Sequence, residues 1–128
     1  MTPSKTSVLI VEDDQMLRSA YETVLTMDGY ETSVAADGQE ALALAKKIKP
    51  NVILLDMLMP TMNGLEFLEQ FRAKTEHPTI KIIVFSNMSV PSDVQNALRH
   101  GACKYLTKSS FTPREIEDII KEVLAEEE

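Results

Sequence analysis

Two rhythms of apolar residues alternate along the chain. Five short runs carry strand character: SVLIV (7–11), ETSVAA (31–36), NVILL (51–55), IKIIVF (80–85) and KYLT (104–107). The first, third and fourth are rich in Val, Ile and Leu and nearly unbroken, as in parallel strands covered on both faces. The second and fifth are more polar, as suits edge strands.

Between these runs the period lengthens to that of a helix. Leu17, Ala20, Val24 and Leu25 share one face, and Gly29 supplies a stop. Asp37 with Glu40 makes a capping-box-like pair ahead of Ala41, Leu42 and Ala45. Asn63-Gly64 opens a helix carrying Leu65, Leu68 and Phe71. Pro91-Ser92 opens another with Val94, Ala97 and Leu98, closed by Gly101. The last has Thr112 as cap, Pro113 in the first turn and Glu115 for the box. Its stripe is Ile116, Ile119, Ile120, Val123 and Leu124.

Strand–helix units repeated five times predict an α/β fold. It is a doubly wound, five-stranded parallel sheet with right-handed crossovers and five helices. Ligands in such sheets bind beyond the carboxyl ends of the strands. There the sequence places Glu12-Asp13-Asp14 after the first strand, Asp56 after the third, Ser86 after the fourth and Lys108 just past the fifth. Each alone reads as an ordinary loop residue. Gathered on one edge, the acids repel one another and call for a cation. Hard oxygen ligands, few in number, select Mg²⁺ over Zn²⁺ and leave room for a phosphoryl oxygen. Metal, lysine and hydroxyl together describe a cradle for phosphoryl transfer, with Asp56 as nucleophile. A carboxylate ending an apolar strand is costly on its own. A metal and Lys108 would offset that desolvation.

Composition narrows the choice of partner. The chain has 128 residues, one domain by size, and a formal net charge of −7. An acidic surface repels phosphate backbones, so direct nucleic-acid binding is not expected. No apolar run approaches the ~18 residues of a membrane span, and the run near the start is too short for a signal peptide's core. These features predict a cytoplasmic protein. The one cysteine, Cys103, excludes an internal disulfide and is expected to be a buried strand thiol. The acidic end "AEEE" reads as a solvated helix terminus that frays.

Four segments, VLIVEDD, VILLDMLMPTMNGLEF, IIVFS and GACKYLTK, resemble the receiver domain of two-component response regulators over essentially the whole chain, 1–128. Asp56, Pro60 and Gly64 keep that family's D-x-x-x-P-x-x-x-G spacing. The resemblance implies a flavodoxin-like sheet of order 2-1-3-4-5 and a phosphoacceptor at Asp56. It further implies Mg²⁺ bound by Asp13, Asp56 and the Leu58 carbonyl, with Glu12 acting through water. Asp14, one past the acidic pair, is expected to cap the first helix. Ser86 would hydrogen-bond the phosphoryl group, Lys108 would pair with a phosphoryl oxygen, and Tyr105 would be the aromatic switch. The implied partners are a sensor histidine kinase or histidine phosphotransfer protein upstream and an output protein or domain downstream. The domain would catalyse its own phosphorylation and autodephosphorylation, without being a turnover enzyme.

Three departures stand out. Ser109 follows Lys108 where the family usually has a cis proline, so a trans bond and a rebuilt loop from Lys108 to Thr112 are expected. Asn87 is larger than the residue usual there and would crowd the phosphoryl entrance. Leu58 and Met88 flank the site with apolar side chains, which predicts slow autodephosphorylation. Met57, Met59 and Met62 read as gap fillers beside the site, and His77 and His100 lack partners for catalysis. A rival is a haloacid-dehalogenase-like Mg²⁺-dependent phosphatase. It needs D-x-D after the first strand and a substrate cap; this chain has EDD. A nucleotide-binding module lacks its glycine-rich loop. Two readings of output stay open, a stand-alone receiver or part of a longer regulator, and so does dimerisation on phosphorylation.

Overall fold

The computed structural model describes residues 6–59, 61–87 and 91–125; Pro60, Met88 and the end at 126–128, named above, lie outside them. Its strands are β1 (Ser7–Val11), β2 (Glu31–Ala35), β3 (Val52–Asp56), β4 (Lys81–Ser86) and β5 (Lys104–Thr107). They pair in parallel, as the pattern predicts, in the order β2-β1-β3-β4-β5 that the resemblance implies. The helices are α1 (Gln15–Met27), α2 (Gly38–Ile48), α3 (Gly64–Phe71), α4 (Pro91–Arg99) and α5 (Pro113–Ala125).

Strand alternation sorts the core into two layers. Leu9, Val11, Ile53, Leu55, Ile82 and Val84 face α2, α3 and α4, where Ala41, Ala45, Phe67, Phe71 and Ala97 pack. Val8, Ile10, Val52, Leu54, Ile83 and Phe85 face α1 and α5, against Tyr21, Leu25, Ile116, Ile120 and Val123. The α1 stripe is thus centred on Tyr21 and Leu25, while Leu17 and Val24 are half-buried. Met57 and Met62 are buried and Met59 packs against the same layer, as gap fillers would.

The helix ends are built as their residues dictate. Asp14 accepts from the Leu17 amide, Asp37 from Glu40, and Asn63 from Glu66. Asn63 and Glu66 complete a capping box, as do Thr112 and Glu115. Glu40 departs from the box: its carboxylate takes the Ala36 amide rather than that of Asp37. Gly29 and Gly101, at φ +92° and +115°, close α1 and α4 in Schellman geometry. Tyr30 N–H bonds Leu25 O, and Ala102 N–H bonds Ala97 O.

Several details depart from the apolar pattern. β3 and β4 each end one residue later than their apolar runs, so Asp56 and Ser86 are strand residues, paired with Phe85 and Thr107. Ladder hydrogen bonds belong to the backbone and continue past the last apolar side chain. A single helical turn, Ala73–Glu76, follows Arg72, which adopts φ +55°. It rests against the Gly101 turn, where an added Cβ would lie 3.1 Å from Lys74 N. Cys103 is not a buried strand thiol: it precedes β5 and is exposed, held by its amide on Ile82 O. Glu117 is buried within the α5 stripe, with Lys121 Nζ at 3.2 Å. His77 stacks on Phe71 at 4.0 Å, and His100 lies 3.7 Å from Glu69.

Candidate functional site

The carboxyl ends of β1, β3 and β4 and the start of the β5–α5 turn bring the expected groups to one rim. Glu12 and Asp56 are 0% and 2% exposed, Ser86 1%, and the Lys108 side chain 11%. Strand parity turns Glu12 and Asp56 toward the α1/α5 side, continuing Ile10 and Leu54. Ser86 continues Val84 toward the other layer, against which Tyr105 also packs. The acids and the Ser86–Tyr105 pair thus flank the sheet's end from opposite faces.

Lys108 joins the acids. Its Nζ lies 2.8 Å from Glu12 Oε1 and 3.1 Å from Asp56 Oδ2, donating a hydrogen bond to the latter. Asp56 Oδ1 accepts from the Leu58 amide at 3.1 Å. Glu12 Oε2 accepts from the Asp14 amide at 3.0 Å, and the Glu12 carbonyl from Arg18 at 2.8 Å. Burial pushes the Asp56 carboxyl up to about 7, Glu12 adding to the rise and Lys108 opposing it. For Lys108, burial disfavours the charge, but Glu12 and Asp56 outweigh it and hold the ammonium above its usual range. The peptide bonds of the described residues are all trans. Ser109 sits in a 3-10 turn, Lys108–Ser110, and the lysine still aims at Asp56.

The set suits a hard divalent ion. Glu12, Asp13 and Asp56 bring carboxylate oxygens within 4.8 Å of one another. Glu12 Oε1 is buried, with the Lys108 ammonium 2.8 Å away as its charged neighbour. Asp13 is exposed and open to solvent, and Asp14 caps α1 as expected. The Tyr105 phenol is half-buried; burial raises its pKa, while a hydrogen bond with Ser86 opposes the rise. Asn87 is exposed just beyond β4.

Three contributors carry no signal in the sequence pattern. Arg18 clamps the β1–α1 turn by the Glu12 carbonyl. Phe85 lies beneath Lys108, its ring centroid 5.2 Å from Nζ. Tyr21 meets Phe85 edge-to-face at 5.3 Å. Phe85 and Tyr21 look like core residues in sequence; only the strand order brings them under the lysine.

Fold and site together define a doubly wound domain with an acid cluster and a lysine at the carboxyl edge of its sheet. The family model described as "Response regulator receiver domain" matches residues 8–121, and the chain belongs to that family. The chain is 35% identical over 120 residues to a "Probable transcriptional regulator ycf27" of Porphyridium aerugineum, covering 94% of this chain and 48% of that protein. It is 38% identical over 117 residues to the "Nitrate/nitrite response regulator protein NarL" of Escherichia coli, covering 90% and 51%. The chain therefore spans about half the length of these curated relatives. A CheY-like response regulator receiver domain protein from Methanospirillum hungatei superposes with a TM-score of 0.89 at 32% identity, covering 96% of each chain. The chemotaxis protein CheY4 of Vibrio cholerae gives 0.85 at 32% identity, covering 94% of this chain and 99% of that one. The family is one of signalling proteins rather than turnover enzymes. Among the described residues no helix is long and apolar enough to cross a membrane.

Proposed function

We propose that this chain is a phosphorelay receiver in which Asp56 takes a phosphoryl group from a phosphohistidine on a sensor histidine kinase or phosphotransfer protein. The observation that carries the reading is the convergence of Lys108 on Asp56 and Glu12 at 3.1 and 2.8 Å. An Asp56 oxygen attacks phosphorus in line. The O–P bond forms as the P–N bond breaks, and the electron pair returns to the imidazole. Lys108 places its ammonium beside the oxygens that carry the charge in transfer. The Leu58 amide fixes the carboxylate's orientation.

Asp13 and Asp56 would hold Mg²⁺ directly, with the Leu58 carbonyl and, through water, Glu12. Bound there, the ion would supply charge neutralisation for the phosphoryl oxygens. Asp56 must be ionised to attack, and with its carboxyl held up to about 7 the site favours added positive charge near neutral pH.

After transfer, the phosphoryl group competes for the Ser86 hydroxyl, which now bears on Tyr105. Changing that contact biases two packings of the face formed by α4, β5 and α5, a population shift rather than a rebuilding. Output then passes to a partner protein or to a further domain. The named relatives are regulators twice as long, some transcriptional, so a DNA-binding output would reside on another segment while this acidic domain signals to it.

Mass spectrometry after incubation with acetyl phosphate and Mg²⁺ tests the assignment. Wild type should gain one phosphate and Asp56→Ala none; a gain in both moves the phosphoacceptor elsewhere. Steady hydrolysis of a small phosphomonoester is expected to be absent.

A further inference from the structure

We propose that Phe85 is a positioning residue for Lys108, its ring forming the surface that holds the ammonium while it faces Asp56. The inference rests on the phosphoacceptor reading of Asp56 given above. Lys108 Nζ lies over the Phe85 ring at 5.2 Å from the centroid, within the range where a cation is drawn to an aromatic face. The Phe85 ring is fully buried, and Tyr21 fixes it edge-to-face, centroids 5.3 Å apart and planes at 79°. Phe85 pairs with Asp56 in the β3–β4 register, and both point to the α1/α5 side. The ammonium therefore has two carboxylates and one π face as neighbours: Asp56 and Phe85 on adjacent strands, and Glu12 just past the end of β1.

The sequence around Lys108 gives that face something to do. Lys108 opens a 3-10 turn and is followed by Ser109, so no proline ring stiffens the backbone at the next position. The aim of a long, flexible side chain must then come from what the side chain itself touches: Glu12, Asp56 and Phe85. The carboxylates alone leave it free to follow whichever acid is ionised. A buried aromatic face keeps it at the junction of the two. An aliphatic residue of similar size would fill the same space without that attraction.

Replacing Phe85 by Leu, and separately by 4-fluoro- and 3,4,5-trifluorophenylalanine, separates the π face from simple packing. The fluorinated rings keep nearly the same shape while their faces become stepwise poorer in electron density. Two readouts on the full chain serve: the ¹⁵N shift and proton exchange of Lys108 Nζ without any donor, and phosphorylation of Asp56 by acetyl phosphate with Mg²⁺, resolved into KM and maximal rate. The expected result is a graded change in the Lys108 signal across the fluorinated series. The maximal rate should fall in step, by about threefold to thirtyfold for Phe85→Leu. Mg²⁺ affinity should hold constant, because Phe85 supplies no oxygen ligand. A Lys108 signal indifferent to fluorination overturns the proposal and leaves Phe85 as core packing, even if Phe85→Leu is slow or fails to fold. If wild type takes no phosphate on Asp56, the phosphoacceptor reading fails separately, and the Lys108 signal alone decides the role of Phe85.

Discussion

Lys108 Nζ stands 2.8 Å from Glu12 Oε1, and Glu12 is fully buried at the end of β1. The same ammonium reaches Asp56 on the neighbouring strand at 3.1 Å, so a single cation separates two carboxylates that would otherwise repel each other. Removing one partner from a buried ion pair is costly because the other charge stays desolvated. Lys108→Met should therefore lower stability by about 3 kcal/mol at pH 8, measured by urea unfolding without divalent ions. At pH 5 the loss should shrink, since Asp56 can then take a proton. A small, pH-independent effect would show that the ammonium is a bystander.

Asp56 itself makes stability depend on pH. Its carboxyl is raised from 3.8 to about 7, first by burial and second by Glu12, against the pull of Lys108. The folded state thus holds this proton more tightly than the unfolded chain does. The group's stabilising contribution is full below about pH 4 and is lost as the pH rises through 7. Asp56→Asn carries no such proton, so its Tm relative to wild type should climb between pH 4 and 8 in EDTA. Added Mg²⁺ should narrow that gap at pH 8, where ionised Asp56 can bind it, and do little at pH 4.5. A Tm difference that stays flat with pH would mean Asp56 is ordinarily solvated.

The sheet and the acid rim were legible in sequence for a physical reason. Buried parallel strands must be apolar on both faces, so Val8–Val11 and Val52–Leu55 announce themselves, and Asp56 and Lys108 stand out by contrast. Boundaries were less legible. Asp56 and Ser86 are strand residues because the backbone ladder ignores side-chain polarity. Cys103 misled through its apolar type, since exposure is set by the turn before β5 and not by the residue. The turn at Ala73–Glu76 depends on Arg72 at positive φ, which no propensity favours. Phe85 and Tyr21 were visible only as apolar residues; their place beside Lys108 comes from the strand order.

Gly64 ties α3 to β3, the strand that ends in Asp56. Its amide bonds Met57 O at 2.9 Å, and an added Cβ would lie 2.9 Å from both Asp56 O and Met57 Cα. Those are backbone atoms and cannot swing aside, so Gly64→Ala must push the helix start off the end of β3. A destabilisation of about 1–3 kcal/mol is expected, typical of overpacking. Phosphorylation of Asp56 should slow as well, because the segment that aims the carboxylate moves. As a control, a Cβ at Gly29 meets nothing within 4 Å, so Gly29→Ala should carry only the strain of its φ of +92° and leave phosphorylation unchanged. Equal rates for both variants would break the link between α3 docking and the site.

Leu58 presents an apolar side chain at the mouth of the site, 53% exposed, while its amide holds Asp56 Oδ1 at 3.1 Å. Hydrolysis of an aspartyl phosphate needs a water placed and polarised for attack, and a leucine side chain offers it no hydrogen bond. The phosphoryl group on Asp56 should therefore be long-lived. Leu58→Asn keeps the backbone amide and adds a donor and an acceptor at the same spot. It should shorten the half-life by about tenfold, a modest share of what a positioned polar group can contribute. The measurement is the decay of the phosphorylated mass after the donor is removed, at saturating Mg²⁺ so that ion affinity cannot enter. A half-life equal in the two proteins would mean that the side chain at position 58 does not limit the supply of oriented water.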